Sequence, residues 1–465
     1  MTTIQKKDEV RFVAAAGALG FGVHAGGLEE AMTHRPDFIG CDAGTTDAGP
    51  YSLGGGEPAF PRETVKHDLA LILKAGRRAG IPVIVGSAGT AGGDSHVDWT
   101  LEIAREVASE EGLSLRTAVI YCEQDKAYLK GLLRENRICP LDPAPYVDEG
   151  VIDRSSRIVG MMGVEPLQRA LEEGVDFILA GRCSDSALYA ALPILSGLPE
   201  GLAWHAGKVS ECGTMATETM GKGVLFSTVR TDHVVIRPFG EDLRCTPQSV
   251  AAHSLYENTD PYLHRESSGT LDLSRSTFEA VDDVSVRIKG SSLIPSDSYT
   301  VKLEGAELVG YQSVIIGGIR DPFIIRKLDA WLAGVRQKIE ASVSQVFGSG
   351  LPKNRYHINF HVYGRDAVMG SLEPNRGLIP NEVGLVVEAT APTQEMATKI
   401  AILCRQPLLH HNVEEWKGAI TTFACLHNPA HIERGPVYRF SFNHVALPHD
   451  QEEMFRTKFV HIGAR

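Results

Sequence analysis

Excess basic charge, long apolar runs and paired cysteines are all lacking in this sequence. Its 465 residues carry 46 lysines and arginines against 58 aspartates and glutamates, a formal net charge of −12. Because nucleic-acid phosphates are bound by basic surfaces, this balance disfavours a nucleic-acid partner. No apolar run approaches the roughly 20 residues that span a bilayer, and the start of the chain lacks the pattern of a secretory leader. We therefore expect a cytoplasmic protein without a membrane partner.

None of the eight cysteines belongs to a Cys-x-x-Cys pair, which disfavours a zinc ribbon and a locally built iron–sulfur cluster. The chain also has no Gly-x-x-x-x-Gly-Lys-Ser/Thr run and no Gly-x-Ser-x-Gly run. No cofactor is predicted on these grounds, and no residue is assigned solely as a metal ligand. Mg²⁺ is the one ion kept as an alternative, because carboxylate oxygens are suitable ligands for a hard cation.

The most informative segment, residues 37–50, is a short apolar strand followed by a loop of glycines, hydroxyls and carboxylates without a basic residue. Open α/β sheets place ligand chemistry at strand ends of this kind. Asp42 is a candidate general base, and Thr45, Thr46 and Asp47 are candidate substrate-binding groups. A plain turn whose side chains cap the next element is the alternative.

Apolar strands alternate with helical stretches in the first half, which predicts an α/β N-terminal domain with a mostly parallel sheet over residues 1–235. The ends of parallel strands lie on one edge, so the loops that follow them should converge. Those loops are residues 17–22, 43–50, 87–94 and 181–186. The last of them would bring Arg182 and Asp185 to the site.

Two nucleotide patterns are echoed weakly in these loops. Gly17-x-x-Gly20-x-Gly22 has the glycines of a dinucleotide turn in the wrong order. Residues 42–46 resemble the phosphate turn of sugar kinases, but a glycine-rich loop follows instead of a hairpin. The spaced acids are also candidates for a hard metal ion or for helix N-caps: Asp42, Asp47, Asp94 and Asp185.

Residues 205–214 bring a histidine, a lysine, a carboxylate and a thiol into one glycine-flanked turn. Such mixtures are costly to bury unless they are paired or used, so Glu211 is a candidate base and Cys212 a candidate nucleophile. The thiol would need activation by His205 or Lys208. A solvated loop with one buried thiol is the alternative.

Residues 236–465 predict an α+β domain with a mixed sheet that closes the pocket. Within it, strands at 299–303 and 308–316 predict a hairpin, which places Lys302 and Glu304 near its tip.

The turn that follows this hairpin predicts a further substrate contact. Gly317 and Gly318 precede Arg320, and Pro322 suits the first position of a helix. Arg320 is therefore predicted to lie at a helix N-terminus, to face the strand-end loops of the first domain and to bind the substrate.

Several stretches together resemble the acyclic terpene utilisation family of AtuA-type proteins. They are residues 181–185, 211–213, 260–272, 299–306, 317–322, 387–395 and 435–440. The resemblance implies a role in bacterial catabolism of small or branched carboxylic acids or their thioesters. It also implies a small companion protein, which is fused to the C-terminus in some relatives. We further expect a homo-oligomer.

The leading hypothesis is a lyase of the hydratase or dehydratase type, because the loops hold carboxylates, hydroxyls and glycine amides without a redox or nucleotide motif. Asp42 or Glu211 is assigned as the base and Asp185 as a second acid or a metal ligand. The assigned carboxylate holders are Arg182, Lys302 and Arg320.

Two other functions stay open. One is a thioester hydrolase or acyltransferase that uses Cys212, and the other is a non-catalytic scaffold for the companion protein.

Overall fold

The computed structural model describes residues 6–219, 221–414 and 421–464. Residues 1–5, which belong to the segment without the pattern of a secretory leader, lie outside the described residues. The chain forms two compact units. Unit 1 comprises the described residues up to Glu307 together with those from Arg439 onward, and unit 2 is Leu308–Tyr438. The boundary placed at residues 235 and 236 from the sequence falls inside a strand of unit 1.

The strands of the described residues are β1 (Glu9–Ala14), β2 (Phe38–Asp42), β3 (Val83–Gly86), β4 (Ser114–Tyr121), β5 (Ile138–Pro140), β6 (Ser155–Met161), β7 (Phe177–Ala180), β8 (Gly223–Arg230), β9 (Val234–Gly240), β10 (Leu263–Arg265), β11 (Gly269–Asp272), β12 (Thr277–Ala280), β13 (Val286–Lys289), β14 (Ser292–Pro295), β15 (Val301–Ile319), β16 (His357–Tyr363), β17 (Val383–Ala391), β18 (Ala424–Cys425), β19 (His431–Ala446) and β20 (Arg456–Gly463).

The α-helices are α1 (Ala25–Thr33), α2 (Tyr51–Gly55), α3 (Arg62–Ala79), α4 (Asp94–Glu110), α5 (Lys126–Arg134), α6 (Glu149–Arg154), α7 (Glu165–Glu172), α8 (Asp185–Leu195), α9 (Glu200–Ser210), α10 (Pro247–Ser254), α11 (Pro322–Arg326), α12 (Leu328–Phe347) and α13 (Gln394–His410). Among the described residues, none of these helices combines the length and the apolar character needed to cross a bilayer.

Unit 1 is built on a sheet of ten described strands in the order β12-β13-β9-β8-β1-β2-β3-β7-β4-β20. Its centre, β1-β2-β3-β7-β4, is parallel. The flanking strands all pair antiparallel, and these pairings outnumber the parallel ones. The predicted mostly parallel sheet is therefore wrong. Residues 223–240 form a hairpin, and so short a connection cannot make the crossover that a parallel pair needs.

The hairpin predicted around residues 304–306 is also wrong. One strand, β15, runs from Val301 to Ile319, and its first part pairs antiparallel with β6. Gly305 looked like a turn residue, but a Cβ at that position would lie 2.8 Å from the Phe442 ring. The glycine serves a close packing contact inside a strand, and Glu304 is consequently buried.

Unit 2 carries an antiparallel arrangement of β16, β17 and the second part of β15. Helices α12 and α13 supply a core that includes Trp331, Val335 and Ile400. The helical segment that begins at Pro322 is divided into α11 and α12 at Lys327.

The glycine turn after β1 is held by a carboxylate of the protein itself. Asp68 of α3 is fully buried and accepts hydrogen bonds from the amides of Gly20, Gly22 and Val23 at 2.8–3.0 Å. Because these amides are occupied by Asp68, they are not presented to a phosphate. The weak resemblance to a dinucleotide turn thus has a structural explanation.

We expect Asp68→Asn to lower the free energy of unfolding by about 2 kcal/mol. The neutral asparagine side chain has one acceptor oxygen, whereas the two charged oxygens of Asp68 accept from three backbone N–H groups. The midpoint of urea denaturation would measure this loss. Glu29→Gln on the exposed face of α1 is the matched control. Equal midpoints for the two variants would contradict the prediction.

Candidate active site

The loops that follow the parallel strands meet at one edge of the ten-stranded sheet. The Leu19 amide donates to the Asp42 carbonyl at 2.7 Å, which joins the loop after β1 to the end of β2. Arg182, in the loop after β7, donates through Nη1 to Ser87 Oγ at 3.1 Å in the loop after β3. The predicted convergence of these loops is confirmed.

Two glycines allow this close approach. A Cβ on Gly44 would lie 2.4 Å from Thr90 Cα, and a Cβ on Gly92 would lie 2.1 Å from the Arg182 amide nitrogen. Both glycines also have positive φ, +148° and +67°, where other residues are strained. Any side chain at either position would push the loops apart.

A cavity of about 430 Å³ opens beside these loops, and all its lining residues belong to unit 1. Its ionisable residues are five acids and, counting histidine, five bases: Asp47, Asp185, Glu211, Glu257, Glu266, Arg182, Lys208, His264, Arg265 and Lys302. This lining suits a small polar substrate better than a plain hydrocarbon.

Asp185 is the group best suited to proton transfer. It is the first residue of α8 and exposes 32% of its side chain while lining the cavity. Burial raises its pKa to about 7, with Arg182 opposing the rise and Glu211 adding to it. A carboxyl group with a pKa near 7 can both give and accept a proton at neutral pH.

Asp42 ends β2 and is buried, and it is not among the residues that line the cavity. Burial and then the negative charge of Asp185 raise its pKa well above the usual range. The Gly44 amide donates to its Oδ2 at 3.1 Å. Asp42 is electrostatically linked to Asp185, and its assignment as the base stays a prediction.

Glu211 follows the last turn of α9 and is fixed on both oxygens. Lys208 Nζ lies 2.6 Å from Oε1, and Ser186 Oγ donates to Oε2 at 2.7 Å. Burial lowers the pKa of Lys208, but Glu211 outweighs that effect and leaves the pKa above its ordinary value. The buried ammonium and carboxylate therefore balance each other in the cavity wall.

Arg182 links the floor of the site to β15. Its Nε donates to Glu304 Oε2 at 2.9 Å, and its Nη1 donates to Asp185 Oδ1 at 3.2 Å. Lys302 Nζ lies 3.0 Å from the other Glu304 oxygen. Burial alone would raise the Glu304 pKa, but Arg182 and Lys302 outweigh it and lower the pKa to about 2. Arg182 thus positions Asp185, and its predicted role as a carboxylate holder stays a prediction.

Sequence reasoning missed several residues of the cavity wall, among them His264, Arg265 and Glu266. His264 Nε2 lies 3.1 Å from Glu266 Oε1, and Ser184 Oγ donates to Glu266 Oε2 at 2.9 Å. Burial lowers the His264 pKa, but Glu266 outweighs it and raises the pKa above its usual value. The only signal for these residues was their place in the stretch 260–272 that carries the family resemblance.

The loop acids and hydroxyls serve mixed purposes. Thr45 Oγ1 donates to Asp47 Oδ2 at 2.7 Å, and Asp47 also lines the cavity, whereas Thr46 is buried. Asp94 pairs with Arg456. Across residues 6–219, 221–414 and 421–464, no group of three or more His, Cys, Asp or Glu side chains is arranged to hold a metal ion.

The two predicted activators of Cys212 are engaged elsewhere. His205 is fully buried and shares hydrogen bonds with Ser291 Oγ at 2.5 Å and Ser254 Oγ at 2.9 Å. Lys208 is paired with Glu211. Burial and the nearby Glu211 charge raise the pKa of the Cys212 thiol. The thiol therefore stays protonated at neutral pH, which does not favour a nucleophilic role.

Because its pKa is raised, we expect Cys212 to react with iodoacetamide at pH 7 no faster than cysteines of the denatured protein. Mass spectrometry of peptides after timed labelling would measure the rate. Cys139, which is also partly exposed, is an internal control for access. Labelling of Cys212 ten times faster than in the denatured protein would restore the nucleophile hypothesis.

Arg320 lies in unit 2, just before the N-terminus of α11. It is exposed, and its Nη1 donates to the Asn381 carbonyl at 2.8 Å within the same unit. Its contact with substrate stays a prediction.

The comparisons with known proteins identify the family. A family model described as acyclic terpene utilisation family protein AtuA matches residues 55–414. The chain belongs to the AtuA family. This membership associates it with acyclic terpene catabolism, and the matched range includes every residue of the cavity described above except Asp47. Searches of curated proteins and of solved structures returned no match.

Proposed function

We propose that this AtuA-family protein is a hydratase or dehydratase that acts on a small or branched carboxylic acid or its thioester. The observation that carries the proposal is Asp185, a carboxyl group with a pKa raised to about 7 in a cavity that also holds four other acidic residues and several cations. An acid, a base and anion-stabilising groups are what the addition or removal of water requires.

The proposed roles follow from the position of each group in the cavity wall. In the hydration direction, Glu211 takes a proton from water while the water oxygen bonds to the β-carbon of an enoate. Asp185, protonated in part at neutral pH, gives its proton to the α-carbon. The developing negative charge lies on the substrate carbonyl oxygen, where Lys302 stabilises it. Dehydration reverses each step.

A panel of branched α,β-unsaturated acids and their coenzyme A thioesters tests the proposal. The purified protein should remove the enoyl absorbance and incorporate solvent deuterium at the α-carbon. Because the resemblance implies a companion, the assay is repeated after co-expression with the small protein encoded next to this chain. Neither absorbance loss nor deuterium incorporation across the panel, in both preparations, would overturn the proposal.

A further inference from the structure

A second cavity of about 350 Å³ adjoins the first, because Met161, Arg265, Glu266 and Lys302 line both. Most of its other polar lining consists of hydroxyl side chains, Ser267, Thr270, Ser296 and Thr300. Two cationic side chains and four hydroxyl donors are groups that bind an oxyanion well.

Backbone pairing holds these side chains on a common wall. Arg265 of β10 lies directly opposite Thr270 of β11, so their side chains share one face of the antiparallel pair. The Thr300 amide donates to the Ser267 carbonyl at 3.0 Å, which joins the start of β15 to the turn between β10 and β11. Strand pairing therefore places Arg265 and Thr270, and the hydrogen bond between Thr300 and Ser267 fixes the turn beside them.

Of the two cations of this wall, only Lys302 is paired with a carboxylate among the described residues. Within the described residues, Arg265 has no ion pair and no side-chain hydrogen bond, although it lines both cavities. Lys302 has Glu304 as its partner, and that carboxylate is shared with a buried arginine. Glu266 also faces this cavity, but His264 already lies 3.1 Å from one of its oxygens.

We propose that the second cavity binds an oxyanion that the substrate carries away from its reacting carbon, with Arg265 as the main cation. This inference rests on the proposed function, which puts the reacting carbon beside Asp185 in the first cavity. The oxyanion has two sources, a phosphate of a thioester carrier or the second carboxylate of a dicarboxylic acid. The substrate would then span both cavities.

Titration calorimetry of the full chain with inorganic phosphate, desulfo-coenzyme A and glutarate tests this assignment. Arg265→Gln should weaken binding of the matching probe by about 10- to 100-fold, the range for a hydrogen bond to a charged group. Thr270→Val should weaken it by a few-fold. Arg78→Gln, an exposed arginine on α3 outside both cavities, is the matched control and should bind as the unaltered protein does.

Binding of phosphate and desulfo-coenzyme A identifies a carrier phosphate, and binding of glutarate alone identifies a second carboxylate. Either result supports the subsite when it depends on Arg265. Equal affinities in Arg265→Gln and Arg78→Gln, or no binding of any probe at millimolar concentration, would overturn it. Arg265-dependent binding without turnover would refute only the proposed function, whereas turnover with an unchanged KM in Arg265→Gln would refute only the subsite.

Discussion

Replacing Asp185 with asparagine should lower turnover by on the order of 10²- to 10⁴-fold, the contribution of a positioned acid or base. Asparagine has the same size as aspartate and keeps an oxygen that can accept a hydrogen bond from Arg182. In the unaltered protein, Arg182 Nη1 donates to Asp185 Oδ1 at 3.2 Å. It cannot transfer a proton. Initial rates on the best substrate of the enoate panel would measure the loss, and circular dichroism would check the fold.

The same variant should be more stable than the unaltered protein at high pH. The pKa of Asp185 is raised from 3.8 to about 7 in the folded chain, so folding favours its protonated form. The contribution of Asp185 to the free energy of unfolding is fully present below pH 3.8 and is lost as the pH rises through 7. Because asparagine does not ionise, the variant does not lose stability in this way as the pH rises. We expect a gain on the order of 1 kcal/mol at pH 8, since solvent in the cavity screens the charge.

Asp125→Asn is the matched control for this variant. Asp125 is the N-cap of α5, where it accepts from the Tyr128 amide at 2.8 Å, and asparagine serves equally well there. It should change neither the rate nor the pH dependence of the thermal midpoint. An Asp185→Asn variant with more than half of the original activity would remove Asp185 from the mechanism.

Part of this arrangement could be predicted from the sequence because local rules determine it. The alternation of apolar strands with helical stretches predicted the parallel strands at the centre of the sheet, and the rule that ligands bind at strand ends predicted that the loops with Asp42 and Asp185 meet. Those rules use the period of the apolar pattern and the order of elements along the chain. The central parallel strands of the structure agree with both.

The antiparallel flanks could not be predicted in the same way, since a period-two pattern does not encode the direction of a neighbouring strand. Arg265 and His264 were missed for a related reason. Residues 264–266 are a short charged run of the kind that is usually solvated. These residues line the cavity because β10 pairs with β11. The charged run by itself does not indicate that pairing.

Glu304 shows how burial is hidden from sequence reasoning. A carboxylate beside a glycine is typical of a solvated turn, yet the side chain is only 5% exposed. Arg182 makes this burial tolerable, and it lies 122 positions earlier in the chain. The two residues together connect β15 to Asp185, so this ion pair contributes both to the stability of unit 1 and to the position of Asp185.

Arg182→Met should lower the free energy of unfolding by about 3–5 kcal/mol, because it leaves Glu304 buried with only Lys302 beside it. Arg182 and Lys302 together lower the Glu304 pKa from 4.5 to about 2, which at about 1.4 kcal/mol per pH unit corresponds to roughly 3 kcal/mol, and Arg182 is the larger of the two causes. That contribution is present above pH 4.5 and is lost as the pH falls through 2. Urea denaturation at pH 7 would measure the difference between the variant and the unaltered protein.

The double variant Arg182→Met/Glu304→Gln separates the cost of an unpaired charge from that of lost packing. Because no buried carboxylate is left without its guanidinium, it should lose less stability than the two single variants together. In Arg182→Met alone, protonation of Glu304 relieves the penalty, so its deficit should narrow as the pH falls from 7 to 4. A deficit that stays constant over this range, or strictly additive losses, would show that packing around Arg182 and not its pairing with Glu304 stabilises the site.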